Sequence, residues 1–171
     1  MSLDNIQLPA FVVTDLFKHS IVMPDEVETK EKKISETPDS FNFLGNNQKK
    51  IVLIVRSTEA FLLPDQYLLL LTKMLEACKL NLGDVAIINH HTNPVTMTGL
   101  NKQLSPSILI LFGLETTAIK LPFNIPLFKI QEYNQCRFLY VPAIEELSRD
   151  TEEARLLKSK LWICLKGLFE V

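Results

Sequence analysis

Only three cysteines, Cys78, Cys136 and Cys164, occur in 171 residues, widely spaced and each among apolar neighbours. They are too few and too scattered for a disulfide framework, and no two stand at the spacing of a paired zinc motif. They read as buried thiols in a reducing compartment. Glycine is also scarce, at five residues. The stretch "FGLETTA", where Gly113 ends an apolar run, has neither the repeated glycines nor the lysine of a phosphate cradle. No apolar run approaches the length of a bilayer span, which needs about 20 residues. The N-terminus lacks a basic region followed by an apolar stretch and a small-residue cleavage site, so no signal peptide is expected. Positive charge is not in excess either. The net charge is −2; residues 1–48 hold eight acids against four Lys/Arg, and residues 49–171 hold twelve acids against fourteen Lys/Arg, leaving the body at +2. Nucleic-acid binding therefore gets no help from charge. These absences point to a soluble cytoplasmic protein with no membrane partner.

What is present suffices for a core, since 47% of the residues are hydrophobic. Residues 1–23 contain "LPAFVVTDLFKHSIVM", in which Phe11, Val12, Leu16 and Phe17 fall at roughly helical spacing after Pro9. Residues 24–48 are largely polar, with "PDEVETKEKKISETPDS" reading as a linker or long loop. The body, residues 49–171, alternates strand and helix periods. "IVLIV" is a run of the kind buried on both faces of a parallel sheet. Residues 64–79 place Tyr67, Leu68, Leu71, Met74, Leu75 and Cys78 on one apolar face, with Pro64 at the first helical position. "DVAIINHH" and "SILILFG" are further buried strands, "TMTGLNKQLSP" a loop with a short helix, and "LETTAIK" a short helix. "IPLFKIQ" and "CRFLYVP" are two more candidate strands around a turn at "EYNQ". The closing helix is expected to be capped by Asp150, with Glu153 at the capping-box position and a stripe of Ala154, Leu157, Leu161, Leu165 and Leu168. This alternation predicts an α/β fold with a central, mostly parallel sheet.

Ligands of open α/β sheets favour the crevice beyond the carboxyl ends of the strands. Here that crevice is expected to include Arg56, Ser57, Asn89, Gly113 and Val141. The stretch "INHHTNP" adds His90 and His91, and Glu59 is the one carboxylate at the end of the first buried strand. Adjacent strand residues point to opposite faces, so the two histidines could share a metal only past the strand's end. The third ligand nearest to hand, Asn93, is a poor one for zinc. No metal and no cofactor is expected. No nucleophile-elbow sequence surrounds Ser57 or Thr58.

Three stretches carry a resemblance to the uracil-DNA glycosylase superfamily, above all its iron-sulfur branch. They are "LLLLTKMLEACKLNLGDVAIINHHTNP", "LSPSILILFGLETTAIKL" and "SRDTEEARLLKSKLWICLKGL", in the family's order with short gaps and with Trp162 in the last. The resemblance implies a three-layer αβα fold around a mostly parallel four-stranded sheet. It also aligns Asn89 with the family's strand-end asparagine. The family's chemistry does not follow. Its glycine-rich first loop, with a proline and an acidic residue, corresponds to "RSTEAFLLPD", which has no glycine. Its second signature begins with a histidine that stabilises the leaving base, whereas "VPAIEEL" puts Val141 there. Loss of one such donor costs on the order of 100-fold in rate. The four cluster cysteines are absent as well.

The layout of an apolar N-terminal segment, a polar spacer and a small α/β body is similar to that of the psi subunits of the DNA polymerase III clamp loader. Those are non-enzymatic proteins whose body resembles this fold. The expectation is a non-catalytic protein-interaction subunit in DNA replication or repair, with Phe11, Val12, Leu16 and Phe17 binding a protein partner. The alternative is a divergent nucleobase glycosylase or hydrolase, with Glu59 or Asn89 positioning water and His90 or His91 assisting. A plain α/β domain with an unrelated ligand also stays open.

Overall fold

The structure is a computed structural model that describes residues 40–171, all within one compact unit spanning Glu36–Val171. Its centre is three strands: β2 (Ile51–Val55), β3 (Val85–Asn89) and β4 (Ile108–Phe112), in which every residue is buried. Such runs suit a sheet covered on both faces, because each side chain finds an apolar layer whichever way it points. With β6 (Cys136–Val141) they form four parallel strands in the order β3-β2-β4-β6. Ile51 stands opposite Val85 on one side and Ile108 on the other.

The sheet has six strands rather than four. A two-residue strand β1 (Leu44–Gly45) lies antiparallel on β3, and β5 (Ile130–Tyr133) lies antiparallel on β6. β1 falls within residues 24–48, so part of the stretch expected as linker belongs to the sheet. Two contacts hold it there. Phe41 is buried in the core, and the Gln103 side chain clamps its backbone, accepting from the N–H at 3.1 Å and donating to the C=O at 3.0 Å. Gly45 has φ +104, and a Cβ there would lie 2.1 Å from the Val85 carbonyl oxygen. Only glycine lets the chain approach β3 so closely. At the other edge, Asn134 and Gln135 both have positive φ, the geometry of a two-residue hairpin turn. The expected strand "IPLFKIQ" begins later than its apolar residues suggest, because Phe128 turns the chain at φ +58.

One face of the sheet is covered by α1 (Asp65–Ala77), α3 (Ile144–Ser148) and α4 (Glu152–Phe169). There Leu71, Leu75, Leu161 and Leu165 pack on Leu53, Val55, Ile110 and Leu139. The other face is covered by α2 (Met97–Gln103), a 3-10 turn at Thr116–Ile119 and Phe41. Leu100 and Ile119 meet Val52, Ile54, Leu109 and Phe138 on that side. Pro64 precedes α1 as its cap rather than opening it. Thr151, not Asp150, caps α4: its hydroxyl accepts from the Ala154 N–H at 3.2 Å. Asp150 is exposed and pairs with Arg155 instead.

Candidate functional site

The chain leaves β2 toward the face of α1 and leaves β4 toward the face of the 3-10 turn, so the crevice of an open sheet should lie between these two strand ends. The expected residues do gather there, and hydrogen bonds tie several of them to one another. Asn89 ends β3 and is fully buried. Its Nδ2 donates to the carbonyls of Ser57 at 2.9 Å and Ala60 at 3.0 Å. Its Oδ1 accepts from the N–H of Ser57 at 3.1 Å and of His91 at 3.2 Å. A carboxamide has two donor hydrogens and two lone pairs, so Asn89 is spent entirely on the backbone of the loops after β2 and β3. Thr92 adds a second staple, its hydroxyl donating to the Phe61 carbonyl at 2.6 Å.

Around this staple the remaining candidates disperse. Ser57 is buried, and its Oγ accepts from the Glu59 N–H at 3.4 Å. Arg56 and Glu59 are exposed. β3 has ended before the histidine pair, yet the two do not act together. His91 is exposed, whereas His90 is half-buried and its Nδ1 accepts from the Val95 N–H at 3.3 Å. That bond requires Nδ1 to be unprotonated. Burial, and then the Arg56 guanidinium, lower the His90 pKa below its ordinary value. No group of three or more His, Cys, Asp or Glu among the described residues could hold a metal ion.

The loops after β4 and β6 meet at Gly113 and Ala143. Val141 is fully buried in the core of the α1 face, where its isopropyl group offers a ligand no hydrogen bond. Gly113 has φ +61 and donates its N–H to the Val141 carbonyl at 2.9 Å. A Cβ on Gly113 would lie 2.7 Å from Ala143 Cα, so the two loops touch backbone to backbone. The one buried side-chain polar atom without a partner among the described residues, Asn47 Oδ1, is at the opposite end of the sheet, where the Asn47 N–H donates to Val85.

Tyr67 escaped attention in the sequence because it reads as one more member of the apolar stripe of α1. Its buried phenol is held above the usual tyrosine range, by burial first and then by the charges of Glu59 and Glu145. Its one sequence signal was its place in the first turn of the helix that follows the loop after β2. Phe11, Val12, Leu16 and Phe17 lie outside the described residues. Among the described residues no helix is long and apolar enough to cross a membrane. Compared with known proteins, the chain matches no protein-family model and no curated sequence at a significant level.

Proposed function

We propose that this chain is a non-catalytic protein-interaction subunit of a DNA replication or repair complex, built on a uracil-DNA glycosylase-like fold and similar in role to the clamp-loader psi subunits. The observation that carries the reading is the saturation of Asn89. The position where a glycosylase would present a polar side chain to its base is committed, in all four of its hydrogen bonds, to holding two loops together. Val141 in place of the leaving-group histidine and the backbone contact at Gly113 support it further. The fold assignment draws on four parallel central strands with helices on both faces. A reducing cytoplasmic setting draws on three free thiols, of which Cys78 and Cys136 are buried. The residues assigned to a partner are Phe11, Val12, Leu16 and Phe17.

Two measurements test this. Incubated at high concentration with uracil-containing single-stranded DNA, the protein is expected to release no base. Release that falls on mutation of His91, which has no side-chain hydrogen bond among the described residues, would instead establish a divergent glycosylase. In native pull-downs, the full chain is expected to recover replication or repair subunits, and a chain lacking residues 1–23 to lose them while keeping its melting temperature. A lowered melting temperature and lost solubility in the shortened chain would sink the assignment of that segment to a partner.

A further inference from the structure

Away from the crevice, the helical face that carries α1, α3 and α4 has an opening of its own. α3 packs against both longer helices, and between α1 and α4 lies a groove of about 230 Å³. Leu161 and Leu165 are buried at its base. Leu70 and Met74 line it from α1, and Trp162 lines it from α4. Its polar lining is cationic throughout: Lys73 comes from α1, Lys158 from α4, and no carboxylate takes part. A third ammonium, that of Lys166, sits 5.4 Å from the centroid of the Trp162 ring. Neither Lys73 nor Lys158 has an ion-pair partner among the described residues.

An apolar trough between two lysines that have no ion pair among the described residues is complementary to one kind of surface. We propose that this groove docks a short segment of a partner protein, in which a bulky apolar side chain is flanked by Asp or Glu. The inference rests on the reading of the chain as an interaction subunit and adds where one partner binds and by what chemistry. The volume is below the roughly 300–1,000 Å³ of small-molecule sites, so it fits a side-chain anchor better than a cofactor. Burial of the anchor supplies affinity, and the lysines fix orientation and reject basic segments through like-charge repulsion.

Trp162 is the only tryptophan of the chain, so its tryptophan fluorescence, excited where tyrosine does not absorb, reports on the groove. The probe is a display library of random short peptides selected on the full chain, with the enriched peptides then titrated against it. Enriched peptides are expected to carry Leu, Phe or Trp beside Asp or Glu, and those anchored by Leu or Phe, which do not emit in the tryptophan band, to shift the Trp162 emission. They should bind about tenfold or more weakly to the Lys73→Glu, Lys158→Glu double variant, whose melting temperature should match the wild type because both lysines lie at the groove rim. The proposal is overturned by enrichment without acidic residues, by binding that leaves Trp162 emission unchanged, or by equal affinity for the double variant. Self-association abolished in the double variant would overturn it too, by giving the groove to a second copy. If native partners are recovered equally by the wild type and the double variant, the groove assignment fails while the interaction role stands. Base release would remove that role whatever the groove binds.

Discussion

At the scale of single residues, Asn89 carries the largest expected effect. Asn89→Ala strips partners from the buried N–H and C=O of Ser57 and from the part-buried N–H of His91 and C=O of Ala60 at once. Each group left unsatisfied costs about 1–3 kcal/mol, so a loss of about 3 kcal/mol or more is expected in urea denaturation. Asn89→Asp keeps the shape but turns a carboxylate oxygen toward the carbonyls of Ser57 and Ala60, and it should lose at least as much. A catalytic asparagine would behave differently, with the fold surviving either change. His90 gives a pH signature. Because its pKa is lowered in the fold, the unfolded chain binds more protons through this group, and stability rises with pH across the interval between the two values. Stability is therefore full above the ordinary value of 6.5 and declines as the pH falls below it toward the depressed folded value. His90→Gln, with a side chain that cannot titrate, should flatten that acid limb when urea midpoints are compared at neutral and mildly acidic pH.

At the scale of elements, the caps and edges separate what is local from what is not. Thr151→Ala is expected to cost about 1 kcal/mol through the loss of the α4 cap. Asp150→Ala should change stability little, since its side chain is 94% exposed; the two thermal melts side by side decide which residue caps the helix. The sequence places the cap one residue early because Asp and Thr are both good N-caps and only backbone direction chooses between them. The central strands were legible because they are continuous apolar runs bounded by turn residues. The edge strands were legible only in part: "IPLFKIQ" reaches the first two residues of β5, while Glu132 and Tyr133, read as turn, belong to the strand. β5 reads "IQEY", with all four residues exposed, and β1 is two residues held by pairing with Ile87 and Ala86 some forty positions away. Neither has a hydrophobic pattern of its own, so only the partner strand makes it a strand.

At the scale of the whole molecule, the sheet divides two apolar clusters that share its strands, with Leu53 facing one and Leu109 facing the other. Because the sheet is common to both, Leu53→Ala and Leu109→Ala should each remove about 2–5 kcal/mol from one cooperative transition. Two separable transitions in calorimetry would show that the two sides melt independently. The same architecture places both surfaces of interest. The crevice lies at the carboxyl ends of the strands, where side chains from several loops converge. The lysine-rimmed groove lies on the helical face, lined by two helices far apart in sequence.

By itself the sequence determined the fold class, the parallel core and the membership of Asn89, Gly113 and Val141 in one strand-end region, because hydrophobic period and turn chemistry are local properties of the chain. The stretches that resemble the glycosylases were read without that family's chemistry, since they carry neither its histidine nor its glycine-rich loop. Only the tertiary structure decided that Asn89 has no hydrogen bond left to give. Its partners Ser57 and Ala60 stand about thirty residues away, and no local pattern records which distant backbone groups a buried amide will meet. The groove between α1 and α4 was settled in the same way, by packing: Lys73 and Lys158 are ordinary surface lysines until the fold sets them on either side of one apolar trough.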